Sequence, residues 1–390
     1  MILLDVIRRN GPIAKTDISR ITKYNIVTVS NYVEHYIKRK LVVERGLDVS
    51  SGGRRPELVE LNNEWGYLIG MDIGPQKLTC IVTTVAPKII HKEVIDRPRG
   101  HMETVMSQAI QLVHQTVEAS TMDKSKVKGI GVGISGVIDK HAGTVRDTDL
   151  DRGGTIGNFI SAKSILEKEF HIPISIANDA SLAALAEKKL SLRIDDENIL
   201  YMYADVGSGM VANNDLFWGS SWSAGEIQLN LAGADQLNLP PWAMDSHFFK
   251  SRGLDMGLVA DARILFEKKD TKCKLWEMID NDADNITLEK IFEAVRKDDR
   301  PIVEIVDRAV TLLGLKVAYL TNFFNPEVVV LGGGLEKGED FVLNGVRRVV
   351  KQLVMNEVSG NVKIILSRLA GDAVALGAVS LVTQELFTEV

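Results

Sequence analysis

Residues 15–44 read KTDISRITKYNIVTVSNYVEHYIKRKLVVE, and their reading decides what the first 62 residues build. Lys15 to Ile21 carries a short helical pattern, Thr22-Lys23-Tyr24-Asn25 forms a turn, and a longer helical pattern follows. Asn25 stands as the N-cap of that third helix, with Val29, Tyr32, Val33, Tyr36 and Ile37 as its expected buried stripe. Upstream, Met1 to Arg9 repeats apolar residues on one helical face until Asn10-Gly11-Pro12 stops it. Downstream, strand candidates Leu41 to Glu44 and Leu58 to Leu61 flank a turn-rich tip, Ser50-Ser51-Gly52-Gly53-Arg54-Arg55-Pro56. Helix, turn, recognition helix and wing predict a DNA-reading module over residues 1–62. Lys23 sits where such turns often carry glycine, which predicts modest backbone strain.

Charge is distributed in the same sense. The first 60 residues hold eleven Lys and Arg against seven Asp and Glu, a net of +4. The other 330 hold 35 against 45, a net of −10 within the overall −6. A basic head on an acidic body fits phosphate contacts at one end only. The recognition helix is expected to turn Asn25, Val27, Thr28, Ser30 and Asn31 toward the major groove, with Thr28, Ser30 and Asn31 supplying hydrogen bonds. Lys15, Thr16, Lys38 and Arg39 are candidates for the DNA backbone. Arg54 and Arg55 enter a minor groove, lie along phosphate, or make surface ion pairs between wing and body.

With 390 residues, 45% of them hydrophobic, the chain can form two or three domains with real cores. No apolar run reaches the length of a membrane span, and Met1 leads into an amphipathic helix, so no membrane association and a cytoplasmic location are expected. The two cysteines, Cys80 and Cys273, lie far apart outside any CxxC pattern. Neither a disulfide framework nor a cysteine zinc site is encoded, and both read as inert core residues.

The body starts with the apolar strand Tyr67 to Gly74, which ends Asp72-Ile73-Gly74 and has Leu78 to Val85 as its hairpin partner. A helix over Val105 to Glu118, a glycine-rich strand from Val127, a helix over Ile160 to Phe170 and a strand over Ile172 to Ile176 follow. Asn178-Asp179 then precedes a helix over Ala180 to Lys189. The pattern restarts with a strand at Ile199 to Val206 running into Gly207-Ser208-Gly209, helices within 246–323, a strand at Glu327 to Leu331 closing on Gly332-Gly333-Gly334, and a strand at Val362 to Leu366. Two similar rounds of alternating strands and helices predict an α/β body of two lobes.

An ordered set of residues makes a resemblance specific: the wing tip at 51–56, Asp72-Ile73-Gly74, Gly131-Val132-Gly133-Ile134-Ser135-Gly136, Ala177-Asn178-Asp179-Ala180, Ala224-Gly225-Glu226-Ile227 and the triplet 332–334. Over nearly its whole length the chain resembles the ROK family (repressor, open reading frame, kinase). The resemblance implies a winged helix-turn-helix at 1–62 and a two-lobed actin-like, ribonuclease-H-like sugar kinase fold. Its lobes fall at 67–194 with the C-terminal segment 367–390, and at 195–366. It also implies a sugar site at Gly136, Asn178, Asp179 and Glu226, with Asp179 matching the base that accepts a proton from a sugar hydroxyl.

Several positions depart from the kinase pattern. After Asp72-Ile73-Gly74 the chain reads Pro75-Gln76-Lys77, and proline removes a backbone donor from a phosphate-binding turn. Gly207-Ser208-Gly209 continues Met210-Val211-Ala212-Asn213-Asn214, with side chains where the kinases keep glycines. The family's zinc- and sugar-binding histidine is Leu229, and residues 230–245 contain no cysteine or histidine, so no metal is expected. The expected sugar loop reads Asp151-Arg152-Gly153-Gly154-Thr155-Ile156-Gly157. Asp179 has an alternative role in capping the helix from Ala180, and Glu226 in a loop ion pair.

These features predict a DNA-binding repressor whose kinase-like body has lost phosphoryl transfer, needs no cofactor, and senses a sugar or sugar derivative. Double-stranded operator DNA is its expected partner, with the chain acting as a homodimer or homotetramer. An active or bifunctional sugar kinase and a regulator controlled by a protein partner are the competing readings.

Overall fold

The computed structural model describes residues 2–47, 57–136, 138–139, 143–146, 159–228, 251–268 and 272–388. Contacts divide the chain into two compact units, Met1–Asp179 with Val374–Val390, and Ala180–Ala373. The chain therefore passes between units twice, at Asp179/Ala180 and at Ala373/Val374.

Helices α1 (Ile2–Asn10), α2 (Lys15–Thr22) and α3 (Ile26–Lys38) alternate with short strand β1 (Ile13–Ala14) and precede β2 (Val42–Leu47) and β3 (Glu57–Leu61). The three strands form a sheet in the order β1-β3-β2, with both pairings antiparallel. Leu3, Val6, Ile7, Ile18, Val29, Val33, Leu41 and Val59 close one small core. This is the winged helix-turn-helix expected from sequence. Asn25 caps α3 by accepting a 2.8 Å hydrogen bond from Thr28 N, and Lys23 takes the left-handed φ of 63° that its turn demands. One element of the stripe is corrected: Val29, Val33 and Tyr36 are buried, but Tyr32 is exposed. Tyr32 lies about 60° round the helix from Val29, at the stripe's edge, and the inward space is already filled. The wing tip, with Arg54 and Arg55, lies outside the described residues.

The rest of the first unit is built on a five-stranded sheet, β4 (Tyr67–Ile73), β5 (Lys77–Thr84), β6 (Ile89–Asp96), β7 (Val127–Ile134) and β11 (Ile174–Asn178), ordered β11-β7-β4-β5-β6. Between β7 and β11 come β8 (Ile138–Asp139), β9 (Thr144–Arg146) and β10 (Phe159–Ile160), which form a separate small sheet. β4 runs parallel to β7 and antiparallel to β5. Helix α4 (Met102–Ala119) buries Val105, Met106, Leu112 and Val113 against Ile69, Met71, Cys80 and Val132. On the sheet, a Cβ on Gly131 would stand 1.9 Å from the Ala378 carbonyl oxygen of the C-terminal helix Ala373–Thr388. Only glycine permits that approach, so the glycines of β7 serve helix-on-sheet packing. β6 was not anticipated from sequence; it is an edge strand whose residues alternate between half-buried and exposed.

The second unit repeats this order. β12 (Ile199–Tyr203), β13 (Gly207–Ala212), β14 (Asp215–Leu216), β15 (Val328–Gly332) and β16 (Lys363–Leu366) are arranged β14-β13-β12-β15-β16. β12 pairs antiparallel with β13 and parallel with β15. The long helix Arg300–Phe324 packs with Leu288–Arg296 and Glu339–Leu353 over Leu200, Met202, Val329 and Leu331. The helix Glu339–Leu353 and the C-terminal helix were also not anticipated. Residues 207–212, expected as a glycine turn, are a strand, and Val211 is buried in it. A Cβ on Gly209 would stand 2.1 Å from the Ala180 carbonyl of the helix Asp179–Ala186, so this glycine too admits a helix. Among the described residues, no helix is long and apolar enough to cross a membrane.

Candidate functional site

Helix α3 presents the head's outward face. With Val29, Val33 and Tyr36 turned inward, the helical period carries Val27 and Asn31 to the opposite side, with Thr28 about 60° from Asn31 and Tyr32 at the edge of the buried stripe. Asn25, Val27 and Asn31 are exposed, and Thr28 and Ser30 are half-buried. Thr16 is exposed at the start of α2, and Lys15 is half-buried. The turn before α3 is set by local bonds: Ser19 Oγ donates to Tyr24 O at 2.6 Å, and Thr22 Oγ1 donates to Ile18 O at 2.8 Å.

In the first unit, β11 and the chain after β7 carry three of the expected sugar-site residues, Asn178, Asp179 and Gly136, to the end of the sheet where β4 carries Asp72. Asn178 Nδ2 donates to Gly136 O at 3.2 Å, so two of the four expected sugar-site residues are in contact. Asp179, the first residue of the helix Asp179–Ala186, is buried, as is Asp72 near the end of β4. Burial, aided by the nearby negative charge of Asp179, holds the Asp72 carboxyl well above the usual carboxylate range. Asp72 Oδ1 accepts no hydrogen bond among the described residues. The adjoining turn satisfies itself: Gly74 N donates to Lys77 O at 3.1 Å, and Arg97 Nη1 donates to Gly74 O at 3.0 Å. The backbone donor nearest Asp72 is thus committed inside the protein.

Glu226 belongs to the second unit, on a turn that docks against β13. Ser208 N and Ser208 Oγ both donate to Gly225 O, each at 2.9 Å. Gly225 has φ of 96°, and a Cβ there would stand 2.0 Å from Ser208 O, so no other residue fits. The Glu226 side chain is exposed, while the surrounding chain desolvates its carboxyl enough to push the pKa upward. Trp218 and Trp222 stack 4.1 Å apart on the approach to the same turn.

Sequence reasoning missed a charged cluster in the turn between β12 and β13. Asp205 Oδ1 accepts from Lys316 Nζ at 2.5 Å, and Asp205 Oδ2 accepts from Arg252 N at 2.8 Å. Both charged side chains are buried. The available signal was the repeat of Asp-x-Gly at 72–74 and 205–207, but nothing local pointed to Lys316. A groove of about 570 Å³ lies between the helices Leu258–Glu267 and Arg300–Phe324, lined among others by Arg252, Ile264, Lys268 and Arg308. None of the expected sugar-site residues lines it.

The expected sugar loop at 151–157, Leu229 and residues 230–245 lie outside the described residues. Both thiols are held protonated at neutral pH. Burial pushes Cys80 up to about 12, and burial with the Asp299 contact pushes Cys273 up to about 12.

The family model described as ROK family matches residues 68–233 and 266–385, most of the chain and both five-stranded sheets. The chain belongs to the ROK family. It is 28% identical to the xylose repressor of Caldicellulosiruptor bescii, with 100% of this chain and 96% of that protein aligned. Among solved structures, a ROK family transcriptional regulator described as a homolog of the E. coli MLC protein superposes with a TM-score of 0.74 at 19% identity, covering 99% of this chain and 95% of that one. A ROK family glucokinase from Streptomyces griseus, solved with glucose and AMPPNP, superposes with a TM-score of 0.66 at 23% identity, covering 81% of this chain and 99% of the enzyme. The two superpositions show that this ROK body shares its fold with regulators and kinases alike.

Proposed function

We propose that this ROK protein is a cytoplasmic transcriptional repressor that binds a two-fold-symmetric operator as a dimer or higher oligomer, responds to a sugar, and no longer transfers phosphate. One observation carries the reading: similarity to a named repressor runs through head and body over the whole chain, whereas the glucokinase fold corresponds to only 81% of it. A kinase needs no DNA-reading head. The outward α3 face and the basic balance of residues 1–60 supply the complementary surface for DNA. The self-bonded Gly74 turn and the Lys316–Asp205 pair in the β12–β13 turn support the loss of phosphoryl transfer, because neither turn offers its groups freely to phosphate.

The effector is a hydroxylated aldose, and xylose is the first to test given the name of the relative. Asp179, Asn178, Gly136 and Glu226 are its contacts, without any reaction on them. Gel shifts on a duplex selected from a random library, with and without xylose and a panel of other sugars, test the whole reading. Asp179→Ala and, separately, Glu226→Ala should keep the effector-free DNA affinity within about a few-fold and abolish the sugar response, and operator must shift sugar affinity by the same factor as sugar shifts operator affinity. Failure to enrich any DNA sequence defeats the repressor reading. Phosphorylation of a sugar that Asp179→Asn abolishes restores the kinase reading.

A further inference from the structure

Exposed large apolar side chains gather on the head. Ile21, Tyr24, Ile26, Val27 and Tyr32 are five of the fourteen found among the described residues, all within twelve positions. Val27 is 65% exposed and Tyr32 50%. A soluble surface normally scatters such residues singly, and a cluster rimmed by polar groups marks a binding face. The rim here consists of Thr28 and Asn31. Val27 and Asn31 are one helical turn apart, as are Thr28 and Tyr32, so each turn of α3 offers one apolar and one hydrogen-bonding side chain.

The charge around this cluster selects its occupant. Residues 18–33 contain no acid; of the two cations inside the segment, Arg20 pairs with Asp17 just outside it at 2.6 Å, and Lys23 is exposed. The apolar side chains are therefore offered in a setting that attracts phosphate. In the major groove the apolar feature a side chain can meet is the C5-methyl of thymine, and an asparagine one turn away has the bidentate geometry for adenine. Four residues of helix rise about 6 Å, close to two base steps, so Val27 and Asn31 are spaced to address bases about two steps apart.

We infer that the recognition helix reads a thymine C5-methyl group through Val27, with Asn31 reading an adenine about two base steps away. The operator half-site is then specified as much by methyl contacts as by hydrogen bonds. This inference rests on the DNA-binding reading above, and the experiment separates the two.

The full-length protein is used to select duplexes from a random-sequence library at one fixed salt concentration. The enriched site is remade with each thymine replaced singly by deoxyuridine, which pairs identically and lacks only the methyl. We expect one thymine per half-site at which the replacement weakens binding by about three- to ten-fold. Val27→Ala, at a surface position, should leave thermal stability unchanged, bind the thymine and uracil versions of one such position within about two-fold of each other, and keep the parent's salt dependence. Uracil-substituted sites that all bind as tightly as the parent overturn the methyl reading while leaving sequence-specific DNA binding intact. If the library yields no enriched sequence, DNA recognition and the methyl reading fall together.

Discussion

The two five-stranded sheets have the same strand order, and each carries an Asp-x-Gly at its first hairpin, yet the two acids live in opposite surroundings. Asp72 lies within β4, opposite Thr79, buried near a second acid and held well above the usual carboxylate range. Asp205 lies beyond β12, in the turn, where Lys316 Nζ and Arg252 N occupy its two oxygens. A shared tripeptide thus yields a buried carboxyl with a raised pKa in one unit and a saturated ion pair in the other. A buried acid without a cation is costly to the fold and is retained at sites that act, whereas a buried pair fixes local structure. The first unit's acid is the better place to look for ligand chemistry.

The largest expected effect comes from breaking the saturated side. Lys316→Met strands Asp205 without its cation and should lower unfolding free energy by about 3–5 kcal/mol in urea melts. Adding Asp205→Asn should recover most of that loss. A single variant as stable as the parent would mean the ion pair contributes nothing, and the contrast between the units would collapse.

Glu187 offers a second check in the same unit. Its buried carboxylate accepts from Ser367 Oγ at 2.6 Å, Arg368 N at 3.0 Å, Leu369 N at 3.2 Å and the Ser191 hydroxyl. It joins the chain shortly after the first passage between units to the chain shortly before the second. Glu187→Ala leaves several buried donors unmet and should cost about 2–4 kcal/mol by the same measurement.

Asp72→Asn should move stability in the opposite direction. A carboxyl whose pKa is higher in the fold than in the unfolded chain binds its proton more tightly when folded, so stability falls as pH rises from about 4 toward the raised value. Removing the charge should make the protein more stable than the parent by about 1–3 kcal/mol at pH 8 and flatten the pH dependence of its melting temperature above pH 4. The difference between variant and parent should shrink as pH falls toward 4. A variant less stable than the parent at pH 8 would show that Asp72 is ionised and satisfied, like Asp205.

The smallest expected effect is none. Pro75→Gly restores a backbone donor to the first turn, but Gly74 N is already committed to Lys77 O. Calorimetric titration with ATP and magnesium should show no heat of binding for parent or variant. Binding gained by this one change would mean that the proline alone separates the turn from a phosphate site.

The sequence by itself determined the family and most of the order of elements, though not β6 or the last two long helices. The Asn25 cap, the 3.6-residue stripe of Val29, Val33 and Tyr36, the buried run ending at Asp72 and the alternation of strands with helices all express short-range preferences of backbone and side chain, which a local stretch of residues states completely. Tertiary structure decided which surface each residue keeps and which distant group it meets. Tyr32 sits on the edge of a stripe whose interior its neighbours fill, so packing turned it outward. The glycines of β13 read as a phosphate turn from sequence, but Gly209 lies in a strand against the carbonyl of Ala180. Asp72 and Asp205 share a motif, but the latter's cation comes from 111 residues away, and Glu187 meets Ser367 across 180. Pairings of that range depend on the closure of the whole chain around a buried charge, and a tripeptide carries no record of what the fold will place beside it.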